Sequence, residues 1–202
     1  DAPFHDGDSR RPNEAFWEHV DYVIDRARLL GLYVALLPAW GSFWGNEATI
    51  DYARWIADRY KSRTNVIWVN GGDRAVKDDT ELFNQIGNLL HETCPQHLTT
   101  FHPRAGDPSS RHFHHQEWLD LNTNQSSHGK PDIRSDDQVD ADWELHPAKP
   151  TLDSEPCYER HPIGWKPDTG QFQPHDVRQL AYWTIFAGGA GVTYGHVCVW
   201  IF

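Results

Sequence analysis

Two stretches of this sequence set a carboxylate directly after an apolar run. In "VIWVNGGD", residues 66–73, four large apolar residues give way to Asn70, two glycines and Asp73, and in "TLDSEPCYE", residues 151–159, Glu155 stands immediately before Pro156. Gly71 and Gly72 let the chain turn sharply or approach a ligand closely. Proline holds the residue before it extended, so Pro156 fixes the direction of Glu155. Both acids have plainer readings. Asp73 fits a helix cap, although the next helix has its own start in Asp78 with Glu81 three residues on, the spacing of a capping box. Glu155 fits an exposed loop acid or a partner for Arg160; Asp153 and Glu159 are its local rivals, and Asp153 shares its strand-face parity. Taken together the two acids suggest more. Carboxyl groups facing each other about 5 to 5.5 Å apart suit retaining glycoside hydrolysis, with one nucleophile and one acid/base, and a gap of about 6.5 to 9.5 Å suits inversion.

The elements that must position them alternate. From 12 to 31, Phe16, Val20, Val23, Ile24, Ala27 and Leu30 recur at three and four residues, with Pro12 opening and Gly31 closing an amphipathic helix. "LYVALLPAW" then reads as a short strand covered on both faces. A helix over roughly 47–60, with Ile50, Ala53, Ile56, Ala57 and Tyr60 on one side, leads into the strand that ends at Asp73. A helix over 79–93 and strands near 98 and 119 follow, then a weak helix over 134–142, a strand near 150, a helix from 174 and a last strand near 191. Six apolar strands separated by helices predict right-handed βαβ units and a parallel sheet, either a (β/α) barrel or a doubly wound sheet. A doubly wound sheet needs a glycine-rich phosphate turn, and neither GxGxxG nor GxxxxGK[ST] occurs.

Polar and aromatic residues collect just after the strands, as the mouth of a barrel requires. Trp40 and Trp44 follow the first strand, Asn70 and Asp73 the second, and His102 the third. Gln125 and His128 follow the fourth, Glu155 and Tyr158 the fifth, and Tyr194, His196 and Trp200 the last. The tryptophans can stack on sugar faces or simply pack. Asn70 can bind a sugar hydroxyl or serve the turn. His128 and His196 can orient Glu155, bind hydroxyls or be satisfied structural groups.

Composition narrows the function classes. With 29 acidic against 18 basic residues the chain carries a net charge of -11, which repels phosphate backbones and argues against nucleic acid as a partner. Ten tryptophans, seven tyrosines and nine phenylalanines in 202 residues suit pockets for something with a flat face. Cys94, Cys157 and Cys198 are far apart and lack CxxC spacing, so neither a disulfide framework nor a zinc knuckle is indicated. No apolar stretch of about 18 residues reads as a membrane span, and no targeting segment is visible.

"NVIWVNGGD", "LDSEPCYE" and "GGAGVTYGHVCVW" together resemble the apiosidase-like domain of glycoside hydrolase family 140, and the similarity runs from "RPNEAFWEHVDYVIDRARLLGLYVALLPAWG" to the end. The resemblance implies a (β/α)8 TIM barrel, here a single catalytic domain over residues 1–202 that lacks the family's first two βα units, so that the strand near 33 is the third. It implies action on apiose-containing plant pectin, outside the cytoplasm, with Asp73 after strand four and Glu155 after strand seven as the catalytic pair. Glu155 then attacks the anomeric carbon while Asp73 donates to the leaving oxygen and later activates water. No cofactor and no metal are required. Two rival classes stay open: a degenerate barrel that binds carbohydrate without turnover, and a metal-dependent hydrolase built on His112, His114, His115 and Glu117 in "RHFHHQEW".

Overall fold

The computed structural model describes residues 2–40, 46–76, 79–126, 128–131 and 134–201. The chain divides into two compact units, the first comprising Asp1–Gly72, Val76–Thr100 and Gln116–Leu119 and the second Asp73–Ala75, Phe101–His115 and Asp120–Phe202. Asp73 thus groups with the unit that carries Glu155, although the strand before it belongs to the first.

In the first unit, α1 (Glu14–Leu29), β1 (Val34–Leu36), α2 (Asn46–Tyr60), β2 (Val66–Gly71) and α3 (Thr80–Thr93) follow the expected alternation. β1 and β2 run parallel with Val34 opposite Val66 and Leu36 opposite Trp68, and Trp68 N donates to Leu98 O at 2.8 Å just before β3 (Thr99–His102). Ala53, Ile56, Ala57 and Tyr60 of α2 are buried as their spacing predicts, and they share one core with Leu82, Ile86, Leu89 and Leu90 of α3. Gly87 of α3 is required by packing, because a Cβ there would lie 2.3 Å from Cδ2 of Trp118.

Two expectations change. The buried face of α1 centres on Trp17 and Ile24, while Val23 and Leu30 are exposed. The cause is the segment before the helix, which folds back so that Trp17 Nε1 donates to Pro3 O at 2.9 Å and the Phe4 ring lies 5.2 Å from that of Tyr52. β1 is not covered on both faces: Ala35 is exposed between the half-buried Val34 and Leu36, and Leu32 and Tyr33 before it are exposed too. Arg59 of α2 ties the helix pair together through Asp21 at 2.8 Å and Glu14 at 2.9 Å.

The second unit holds a parallel sheet in the order β4 (Asn122–Asn124), β5 (Thr151–Asp153), β6 (Gly191–Val192), with Asn124 opposite Asp153 and Leu152 opposite Gly191. Around it lie α4 (Ser110–Phe113), α5 (Ser135–Trp143), α6 (Pro174–Phe186) and α7 (Val197–Trp200); α4 and α7 were not expected. α6 opens with Pro174 and a capping box between Gln173 and Asp176.

The strands here are less apolar than expected. Asn122, Thr123, Asn124, Thr151 and Asp153 are all buried; four of them are hydrogen-bonded, which makes their burial tolerable, while the Asn124 side chain has no partner among the described residues. Thr123 N donates to Ser109 Oγ at 2.8 Å, Thr151 Oγ1 donates to Asp142 Oδ2 at 3.0 Å, and Asn122 pairs with His114 Nδ1 at 3.2 Å. No helix among the described residues is long and apolar enough to cross a membrane.

Candidate active site

β5 delivers Glu155. Beyond Asp153 the chain is fixed from both sides: Ser154 N and Oγ each donate to Asn124 O at 2.9 Å, and Thr193 N donates to Asp153 O at 3.0 Å. The Glu155 carboxylate that follows is buried, with one histidine on each oxygen. His102 Nε2 lies 2.9 Å from Oε2 and His128 Nε2 lies 3.1 Å from Oε1. The His128 tautomer follows from its other nitrogen, because Nδ1 accepts from Tyr158 N at 3.4 Å and Nε2 therefore carries the proton that faces Glu155. Gln125 and Tyr158 lie beside the same carboxyl group and interact with it.

These donors decide its charge. Burial alone would push the Glu155 carboxyl up, but the hydrogen bonds from His102 and His128 prevail and hold it at about 2. Such a group is ionised at neutral pH and cannot deliver a proton there; it can attack an electrophilic carbon or accept a proton. Burial and the adjacent Glu155 charge push the Tyr158 phenol up, so it stays protonated and donates. The Tyr158 ring sits against Gly195, where a Cβ would lie 2.0 Å from Tyr158 Cδ1.

Asp153, the local rival on the same strand face, has a different environment. It is buried and accepts from Ser126 Oγ at 2.7 Å and Ser126 N at 3.3 Å. Burial pushes its carboxyl up to about 6, against the hydrogen bonds from Ser126. It fixes Ser126, the residue directly after Gln125.

Asp73 is exposed and follows two glycines, and all three residues take the left-handed region, with φ of +88° at Gly71, +120° at Gly72 and +39° at Asp73. That conformation is uncommon outside glycine, although aspartate tolerates it better than most residues. Asp73 does not cap α3, which begins at Thr80 with Asp79 in the N-cap position; Asp78 lies outside the described residues. The Asp73 charge contributes to the upward push on Tyr158, so its field reaches the Glu155 cluster.

The other expected residues separate into groups. His102, Gln125, His128 and Tyr158 converge on Glu155. Trp200 sits beside them through His161, its ring 5.6 Å from that histidine, which in turn lies 4.5 Å from His128. Tyr194 donates to Glu159 Oε2 at 3.0 Å, and His196 Nδ1 accepts from Cys198 N at 3.0 Å as the cap of α7. Asn70 is occupied within the first unit, donating to Phe83 O at 2.8 Å and accepting from Gly71 N at 2.9 Å. Trp40 is exposed in that unit and borders an apolar cavity of about 340 Å³ with Phe4, Trp17 and Tyr52; Trp44 lies outside the described residues. In "RHFHHQEW" the side chains diverge: His112 meets Asp107 at 2.9 Å, His114 is buried on Asn122, and His115 and Glu117 are exposed. Two residues of the site escape a reading of the sequence, His161 and Trp165, whose rings lie 4.4 Å apart. The faint signal for Trp165 is an aromatic residue directly after a glycine in a Pro/Gly-rich loop.

The family profile described as "Apiosidase-like, catalytic domain" matches residues 1–202. The chain belongs to this apiosidase-like family. Among solved structures, a glycoside hydrolase family 5 protein from Bacteroides vulgatus ATCC 8482 is 34% identical, with a TM-score of 0.85 over 90% of this chain and 44% of its own. A second, described as a glycoside hydrolase, is 32% identical with a TM-score of 0.83 over 90% of this chain and 45% of its own. This apiosidase-like chain therefore spans less than half the length of these two relatives. Thermotoga maritima Cel5A, solved in complex with mannotriose, is 13% identical with a TM-score of 0.61 over 93% of this chain and shares the fold alone. No curated protein matches.

Proposed function

We propose that this apiosidase-like chain is the catalytic part of a retaining glycoside hydrolase acting on apiose-containing plant pectin, a single (β/α)8 barrel domain to which its six strands belong. Glu155 is the nucleophile and Asp73 the acid/base. The observation that carries the reading is the Glu155 carboxylate, buried yet held ionised at about 2 with a histidine on each oxygen. A buried carboxylate that keeps its charge and a fixed direction is what attack on an anomeric carbon requires. The donor that must complement it is exposed at the end of β2, on a backbone turned by three left-handed residues. In the first step the Glu155 oxygen bonds to the anomeric carbon as the bond to the leaving oxygen breaks and that oxygen takes the proton of Asp73; in the second, Asp73 removes a proton from water as the water oxygen bonds to the anomeric carbon and the glycosyl–enzyme bond breaks.

Glu155→Ala removes turnover on every substrate. Asp73→Ala slows pectin-derived oligosaccharides far more than activated aryl glycosides, whose leaving groups need no proton. Equal losses on both substrates remove Asp73 from the acid role. The anomer formed first, followed by proton NMR, separates retention from inversion, and an inverted product rejects Glu155 as nucleophile. Binding of the oligosaccharides without any cleavage assigns the chain to carbohydrate binding instead.

A further inference from the structure

The loop between Arg160 and Phe172 holds an exposed tryptophan in a conformation that tryptophan seldom adopts. Gly164 and Trp165 are consecutive left-handed residues, with φ of +65° and +63°, and Arg160 at the start of the loop has φ of +63°. A bulky side chain at positive φ is a genuine outlier and persists only where its surroundings impose it. Here the surroundings are specific. Gly164 N donates to the carbonyl of His128 itself at 2.8 Å, Trp165 N to Pro162 O at 3.2 Å, and the loop is closed by Arg160 N to Phe172 O at 2.8 Å and Phe172 N to His161 O at 3.1 Å. The backbone that carries Trp165 is therefore clamped to the residue that holds Glu155 Oε1.

The rings form a corner. The Trp165 ring lies 5.5 Å from that of Trp200 with an interplanar angle of 77°, and His161 closes the angle, 4.4 Å from Trp165 at 79° and 5.6 Å from Trp200 at 65°. His128 meets the Trp165 ring at 5.5 Å. His161 is buried while both indoles are about half exposed. Burial, and then the neighbouring His128, push the His161 imidazole down, so the inner wall of the corner is uncharged. Perpendicular indoles cannot sandwich a planar ring such as a nucleobase. They fit a puckered ring whose C–H face lies on one indole while its edge meets the other.

We propose that Trp165 and Trp200 form a stacking corner for a saccharide ring bound beside Glu155, with Trp165 as a specificity-determining residue that its left-handed backbone holds in place. The proposal rests on the glycosidase reading for the identity of the neighbouring sugar. No proton or bond changes hands at the corner; it binds and orients.

The test uses the full-length protein and oligosaccharides released from apiose-containing pectin. For Trp165→Ala, KM rises about tenfold while kcat stays within about threefold, the pattern of lost binding that is equal in ground and transition states. Trp165→Phe keeps an aromatic face and recovers most of the affinity. Gly164→Ala retains both indoles but places a Cβ at positive φ, 3.4 Å from the carbonyl of Gly129, and raises KM in the same direction. Direct binding is followed by tryptophan fluorescence in the Glu155→Gln background, where adding Trp165→Ala weakens binding about tenfold. Two outcomes separate the ideas: binding that depends on Trp165 without any hydrolysis keeps the corner and ends the glycosidase reading, whereas hydrolysis with KM unchanged in Trp165→Ala and Trp165→Phe ends the corner and keeps the enzyme. A protein that neither binds nor cleaves these oligosaccharides overturns both.

Discussion

Replacing His128 by Phe keeps a flat ring among Tyr158, His161 and Trp165 but deletes the N–H that faces Glu155 Oε1 at 3.1 Å. Glu155 is held at about 2 against an ordinary 4.5, and at about 1.36 kcal/mol per pKa unit this favours the ionised form by about 3 kcal/mol. That preference survives a burial effect of opposite sign, so the donors together contribute more than 3 kcal/mol, of which a single hydrogen bond to a charged group supplies about 1.5 to 3 kcal/mol. Loss of the His128 donor therefore moves the carboxyl upward, and loss of His102 as well leaves burial, which raises it, in control.

The sign of the stability effect follows from linkage. A carboxyl depressed in the folded state stabilises the fold above its unfolded pKa, near 4.5, and that contribution disappears as pH falls through about 2. His128→Phe therefore destabilises the protein by about 1.5 to 3 kcal/mol at pH 7, and the difference narrows as pH drops from about 4 through about 2, below which both proteins hold a protonated Glu155. Urea unfolding midpoints at a series of pH values measure it, and the acid limb of kcat/KM moves upward in parallel. A destabilisation of the same size at every pH would refute the reasoning, because it would show that His128 only fills space.

Asp153→Asn probes the neighbouring acid, whose carboxyl is raised to about 6 from 3.8: a raised carboxyl makes the fold lose stability as pH rises from about 4 to 6, so the Asn variant shows a smaller loss over that interval in the same urea series. Gly195→Ala drives a Cβ into the Tyr158 ring, 2.0 Å from Cδ1, and lowers kcat by displacing the phenol from Glu155; a normal kcat in a folded variant removes Tyr158 from the site. Gly87→Ala should gain about 1 kcal/mol from helix propensity alone, yet the contact with Trp118 at 2.3 Å reverses the sign, so thermal unfolding shows a lowered Tm.

How much of this was legible in the sequence depended on how locally each feature is determined. The alternation of helices and strands was, because periodic apolar residues and Pro/Gly boundaries act within one element: α2 spans Asn46–Tyr60 and α6 starts at Pro174, close to expectation. Helices of four residues, such as α4 and α7, fall below any periodic window. The face of α1 was misplaced because Trp17 is buried by Pro3 and Phe4, residues outside the helix, and periodicity within the helix carries no trace of them. The site divides in the same manner. His102, Gln125, His128, Glu155 and Tyr158 could be picked out singly, since each polar or aromatic residue follows a strand and the ends of successive parallel strands converge. Their shared task, setting the charge of one carboxylate, depends on distances near 3 Å between separate strands, and no spacing along the chain encodes those.

Trp165 marks the limit most clearly. Propensity places tryptophan at negative φ, and a glycine before it signals only a turn. The conformation exists because Gly164 N reaches the carbonyl of His128 and the loop is closed at Phe172, contacts made between segments more than thirty residues apart in one case. A residue that contradicts its local preference at the edge of a fixed carboxylate is where function is expected to outweigh folding economy. The same reasoning applies to Asp73, another non-glycine residue at positive φ. Both depart from local preference within a few residues of a glycine, and both do so in the unit that holds Glu155. On the glycosidase reading a bound sugar meets both residues, and that gives each departure a purpose that local folding preference does not supply.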